Sequence, residues 1–146
     1  MGRASYGVTG IKLEKTDDVV SLEIIPLDEN EKVKSSILTI TEKGYGKRSA
    51  IEDYRLTGRA CKGVINLKVS EKTGNVVSTI SVDDKDNFVV TTKKGIIIRT
   101  DVKQIRVMGR ATQGVRIIKL QQGDRVGDMA KLAGDKDIEE DAGKKE

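Results

Sequence analysis

Gly109 to Leu120 reads GRATQGVRIIKL, and the phrase stands twice more, as GRASYGVTGIKL from Gly2 to Leu13 and as GRACKGVINLKV from Gly58 to Val69. The shared pattern is G-R-A-x-x-G-V-x-x-[IL]-K-[LV], with copies starting 56 and then 51 residues apart. A second block repeats in step. ILTITEKGYGKRSAIEDYRL (Ile37 to Leu56) aligns with FVVTTKKGIIIRTDVKQIRV (Phe88 to Val107) at a constant offset of 51, pairing Lys43 with Lys94, Gly44 with Gly95, Arg48 with Arg99 and Arg55 with Arg106. A third block pairs EKTDDVVS (Glu14 to Ser21) with EKTGNVVS (Glu71 to Ser78). The extra residues of the first copy fall around Pro26 and predict a longer loop. Such a period is too long for a heptad and matches a propeller blade, in which each repeat is one small antiparallel sheet.

The residues inside each repeat fit that reading. Ile37–Thr41 and Phe88–Thr92 are β-branched runs, Lys43-Gly44 and Lys94-Gly95 are turn signals, and Ile96–Thr100 is the returning strand. Alternation predicts further strands over Val19–Ile25, Gly63–Val69, Val76–Val82 and Gly114–Leu120. The expected fold is therefore all-β: propeller-like blades of about four antiparallel strands, roughly 2.8 repeats of about 51 residues over positions 1–132. Gly44 and Gly95 are expected to take positive φ at the hairpin turns, and Gly58 and Gly109 to mark a bulge or close backbone contact. Positions 133–146 lack any period and are expected to form a disordered acidic tail. Closed propellers use about four to eight blades. Met1-Gly2-Arg3 also matches the internal Met108-Gly109-Arg110, so these are expected to be the C-terminal blades of a longer protein.

Composition excludes whole classes of chemistry. The 146 residues suit one domain, with 36% hydrophobic and 34% charged side chains. Histidine is absent, which removes imidazole acid–base catalysis and histidine metal sites. Cys61, the one cysteine, shares its slot with Ser5 and Thr112, so it fills space and does not act as a nucleophile. Asp17-Asp18 and Asp83-Asp84 fall between strands and are not matched across repeats, which reads as loop solvation and leaves no metal site. No phosphate loop of the G-x-x-x-x-G-K-[ST] kind occurs. Catalytic residues are not expected in this chain. There is neither an 18-residue apolar run nor a basic-then-apolar leader, so a soluble cytoplasmic protein away from the membrane is expected.

Charge points to a partner. The net charge is +4, but positions 133–146 hold six acidic and three basic residues, which leaves +7 on positions 1–132. A basic body suggests a polyanion, and an acidic tail would compete with it. Aromatic residues are 3% with no tryptophan, which argues against base stacking on single strands and leaves duplex DNA. Cations that recur by slot are the candidates for phosphate contact. Lys43, Lys47, Arg48, Lys93, Lys94 and Arg99 lie near the hairpin turns, where exposure is expected. The phrase supplies Arg59, Arg110, Lys62, Arg116, Lys68 and Lys119, with Arg3 and Lys12 from its first copy, and the strand before it adds Arg55, Lys103 and Arg106. Lys12, Lys68 and Lys119 alternate with apolar residues and should face solvent. Arg3, Arg59 and Arg110 are equally readable as internal braces or as phosphate contacts. Tyr45 and Tyr54 share slots with Ile96 and Ile105, so packing is expected of them. The rival function is a protein-interaction scaffold, which would need aromatic or methionine hot spots that are scarce here.

The stretch KKGIIIRTDVKQIRVMGRATQGVRIIKL resembles the blades of the DNA gyrase A C-terminal domain family, over about positions 1–132, and more distantly the corresponding domain of topoisomerase IV. That resemblance implies a β-pinwheel, a disc of blades exchanging a strand between neighbours. It implies sequence-nonspecific wrapping of double-stranded DNA around the rim, in support of ATP-dependent negative supercoiling. It also implies assembly with the rest of the gyrase A polypeptide and with gyrase B in an A2B2 holoenzyme, where ATP and magnesium are used elsewhere and this chain needs no cofactor. The glutamine-, arginine- and glycine-rich box that marks the first blade in the family has no match here and is expected upstream.

Overall fold

The structure, a computed structural model, describes residues 2–25 and 35–132. Two hairpins organise it. β1 (Ser36–Thr41) and β2 (Tyr45–Ala50) join through a turn in which Gly44 has φ +79. β4 (Asn87–Thr92) and β5 (Ile97–Asp101) join through a turn in which Gly95 has φ +83. Both glycines stand where the sequence places them, at a backbone angle that an L side chain resists. β3 (Val76–Val82), β6 (Val115–Arg116) and β7 (Val126–Leu132) complete a sheet in the order β3-β1-β2-β6 and another in the order β5-β4-β7.

The sheets are copies of one another. β3 against β1 and β7 against β4 are both antiparallel, and each ladder slips at the same place, between Ile40 and Thr41 in one and between Thr91 and Thr92 in the other. Their inner faces meet in one apolar cluster. Leu38, Ile40, Ile80 and Val82 come from the first sheet and Phe88, Val90, Val126 and Met129 from the second, with Val102, Ile105 and Ile118 between.

Strands are exchanged between repeats. β6 belongs to the third phrase, yet it pairs with β2 of the hairpin two phrases earlier, Tyr45 opposite Arg116 and Gly46 opposite Val115. The Gly44 carbonyl accepts the amides of Ile117 and Ile118 at 2.9 and 3.1 Å, and the Arg48 carbonyl accepts the Met108 amide at 2.7 Å. The matching edge of β5 carries no strand among the described residues.

Two expectations are corrected here, the strand bounds and the contact at Gly58 and Gly109. Val19–Ile25 and Gly63–Val69 form no ladder, and only Val115–Arg116 does so within Gly114–Leu120. Val19–Ile25 runs beside β3, the edge strand of the first sheet, and Gly63–Val69 beside β1, and both bond through side chains. Ser21 Oγ donates to the Thr79 carbonyl and the Ser81 amide to Glu23 Oε1, both at 2.9 Å, while Asn66 Nδ2 donates to Thr39 Oγ1 at 2.7 Å. Alternation marks a two-faced segment and does not by itself supply an edge. The close backbone contact expected at Gly58 and Gly109 is also absent, because both face open space. The second glycine of the phrase carries the constraint instead: Gly7, Gly63 and Gly114 have φ of 80, 81 and 76, and a Cβ on Gly114 would strike the Gly46 carbonyl. The loop expected around Pro26 falls mostly in 26–34, and the tail at 133–146; both lie outside the described residues. Among the described residues no helix is long and apolar enough to cross a membrane.

Candidate functional site

Four turns meet along one edge of the molecule. Glu42, at the tip of the first hairpin, ties three of them: its amide donates to the Asn75 carbonyl at 2.9 Å, its carbonyl accepts the Val126 amide at 2.9 Å, and its carboxylate pairs with Arg125 at 3.1 Å. The second hairpin tip joins through the Lys93 amide, which donates to the Arg125 carbonyl at 2.8 Å. Each tip lysine also caps its neighbouring turn, Lys43 on the Glu71 carbonyl and Lys94 on the Gln122 carbonyl. One donated bond leaves each ammonium two free N–H groups and its full charge.

Lys43, Lys72, Lys93, Lys94, Arg116 and Arg125 all stand exposed on this edge. β6 delivers Arg116 there, and its guanidinium donates to the Tyr45 hydroxyl at 2.9 Å. Arg116 and Lys72 both lie over the buried Tyr45 ring, at 5.4 and 5.5 Å from its centre. Lys68 and Lys119, also exposed, sit where the second and third phrases run into the turns at 70–74 and 121–124. Lys72 and Arg125 are additions to the sequence reading. Lys72 has a signal there, because Lys15 matches it in the repeated EKT block. Arg125 has none.

Asp124 is the acid that organises the second tip. Burial pushes its carboxyl upward, but the Thr92 hydroxyl, the amides of Arg125 and Lys94 and the Lys94 cation outweigh burial and hold it below the ordinary carboxylate range. A depressed folded value means stability that is present above the unfolded carboxylate range and is lost as pH falls through the folded value. Asp124→Asn is therefore expected to melt below the parent chain at neutral pH. The two melting curves should converge in acid, and a gap that persists there would contradict the assignment.

Lys47 and Arg48 are corrections. The sequence places both at an exposed tip, but β2 begins at Tyr45, the third phrase pairs with its first two residues, and Val107 and Met108 lie along Arg48. Lys47 is fully buried and donates to the Gly109 carbonyl at 2.9 Å; desolvation holds its ammonium below the usual lysine range, Asp53 opposing and Arg110 adding to the effect. Arg48 bonds Ser36 Oγ through Nε and pairs with Asp84 at 2.5 Å, its side chain only 8% exposed. Neither can meet a duplex. Arg99, the copy of Arg48, is exposed because no phrase covers β5 among the described residues. The same residue type in the same slot should thus behave differently. Arg48→Ala is expected to cost about 1.5–3 kcal/mol, the worth of charged hydrogen bonds, and Arg99→Ala no more than about 0.5 kcal/mol. Paired denaturant titrations measure both, and equal losses would contradict the burial argument.

The remaining candidates lie at the start of the phrase, away from the turns. Arg110 braces the Ile65 carbonyl at 3.1 Å and Lys62 pairs with Glu14 at 3.0 Å, while Arg59 is exposed. Among the described residues no cluster of His, Cys, Asp or Glu is arranged to hold a metal ion.

The chain matches the family model described as the DNA gyrase C-terminal domain, beta-propeller, over residues 1–26, 35–83 and 86–130. It is similar to the DNA gyrase A protein of Salmonella typhimurium, 45% identical over 96% of this chain, and to that of Fibrobacter succinogenes, 46% identical over 97%. In each case it spans 15% of the relative's length. Among solved structures it resembles a DNA gyrase A C-terminal domain, with TM-score 0.64 and 25% identity over 67% of this chain and 33% of that one. The C-terminal domain of a DNA topoisomerase IV shares the fold, with TM-score 0.76 and 24% identity over 86% of this chain and 38% of that one.

Proposed function

This chain belongs to the DNA gyrase C-terminal domain family, and from that membership we propose that its edge of turns binds duplex DNA and bends the duplex around the molecule. The observation that carries the reading is the joining of four turns by Glu42 and Arg125, which gathers six exposed cations from sequence-distant segments onto one edge. Lysine and arginine on such an edge neutralise phosphates and release counterions, with no need to read bases. Bending costs of order 1–6 kcal/mol for a short site, so several contacts must act together. Repeating one turn in successive blades repeats the contact along the duplex path.

In the full-length protein this domain serves negative supercoiling. Its partners are the rest of the gyrase A polypeptide and gyrase B in an A2B2 assembly in the cytoplasm, with ATP and magnesium used outside this chain. The test is duplex affinity against salt. Each neutralised phosphate contributes about −0.9 to the slope of log affinity on log salt, so six rim contacts give roughly −5, on unrelated duplex sequences alike. Affinity unchanged between about 50 and 300 mM salt would overturn the electrostatic reading.

A further inference from the structure

An acid stands on an edge that is otherwise basic. Glu42 occupies the first hairpin tip, where the second hairpin has Lys93 in the same slot. Its side chain is 23% exposed, against 59% for its partner Arg125. An ion pair this open to solvent adds little to stability, so its contribution lies in geometry.

Within each sheet the hairpin tip bonds the turn that leads into the third strand. The Asn75 carbonyl accepts the Glu42 amide at 2.9 Å, and in the copy the Arg125 carbonyl accepts the Lys93 amide at 2.8 Å. Glu42 also reaches across to the other sheet, its carbonyl accepting the Val126 amide at 2.9 Å. Two turns hung on the backbone of one residue form a hinge. The carboxylate closes it, because Oε1 accepts the Asn75 amide at 3.2 Å on one side and Oε2 accepts Arg125 Nη1 at 3.1 Å on the other. Gly74, at φ +71, leaves the room for this, since a Cβ there would strike the Glu42 side chain. A second tie crosses the same junction, from the Arg116 guanidinium to the Tyr45 hydroxyl at 2.9 Å. Lys93 and Ile96 replace Glu42 and Tyr45 in the second hairpin. Neither side chain can accept a hydrogen bond, so the sequence does not copy this clamp to the next tip.

We infer that Glu42 is a positioning residue for DNA wrapping: its carboxylate fixes the angle between two neighbouring blades and directs Arg125, and so sets the path of the duplex from one blade to the next. The inference rests on the reading of this edge as a duplex-binding surface. Glu42 takes one N–H of Arg125, and a guanidinium has five, so phosphate contact stays open to it. The same acid weakens the positive potential that draws the duplex in. Charge and geometry therefore make opposite predictions for its removal.

The test uses the full-length protein that carries this chain, without gyrase B. Glu42→Gln keeps an oxygen for the Asn75 amide and loses the acceptor for Arg125, Arg125→Gln removes the other half, and a third variant carries both changes. Two quantities are read: affinity for a linear duplex, and the linking difference captured when ligase seals a nicked circle at saturating protein. Affinity should follow charge, with Glu42→Gln the tightest and Arg125→Gln the weakest, up to about tenfold below the parent at 0.1 M salt. The captured linking difference should instead fall in all three variants, and by the same amount, because the pair acts as a unit. The rise in affinity also shows that the edge of the Glu42→Gln protein is folded. A Glu42→Gln protein that captures as much as the parent, or that loses affinity and linking difference together, overturns the inference. So does a double variant that recovers the parent's linking difference. A parent protein that captures none, or whose affinity ignores salt, contradicts the duplex-binding reading itself.

Discussion

Replacing Lys43, Lys72, Lys93 and Lys94 together by alanine should weaken duplex binding by on the order of 10³-fold at 0.1 M salt. The magnitude follows from counterion release. A slope of about 0.9 per phosphate makes each contact worth nearly tenfold at 0.1 M relative to molar salt, so four lost contacts remove three to four decades. The salt slope should become shallower by about 3 to 4 at the same time. All four side chains are exposed, and exposed substitutions typically move stability by no more than about 0.5 kcal/mol, so the melting temperature checks that the fold is retained. Lys62→Ala, Lys85→Ala and Lys103→Ala, combined as a control, remove exposed charges distant from the turns. Equal losses in both variants would mean that net charge, not the edge, holds the DNA.

Phe88→Ala should be the most damaging single substitution in the fold. Phe88 is the only phenylalanine, has no exposed surface, and stands in the cluster that both sheets share. Truncating a buried phenylalanine costs about 3–5 kcal/mol through lost transfer energy and the cavity left behind. For a chain of this size that lowers the melting temperature by roughly 10 °C. Because the cluster joins Leu38 and Ile80 of one sheet to Val90 and Met129 of the other, both sheets should melt in one transition. Calorimetry of the variant checks this; two separated transitions would mean that the sheets are independent units.

Most of the local structure is legible in the residues. β-Branched runs broken by Lys-Gly produce β1, β2, β4 and β5 with glycine at the positive-φ corner, and the offset of 51 in the sequence is the offset between the β1–β2 and β4–β5 hairpins. The partners of the phrase are not legible. A pattern of glycine, valine and isoleucine says that a segment has an apolar side, but not that it crosses two repeats to cover β2. That hidden step is why Lys47 and Arg48 are buried where the sequence predicts exposure. Proximity to the turn suggests a free side chain, yet β2 is covered on both faces while its copy β5 alternates between exposed and half-buried. The rim is half legible: recurrence singles out the tip lysines, but the closure through Glu42 and Arg125, which makes one edge of four turns, is a fact of three dimensions.

The central claim is that the duplex lies along that edge. Lysine acetylation footprinting with and without a duplex tests it residue by residue. Lys43, Lys72, Lys93, Lys94 and Lys119 should become protected when DNA is bound, while Lys62, Lys85 and Lys103, exposed at the opposite ends of the strands, should react as before. Protection of the second group with the turn lysines still reactive would contradict the account.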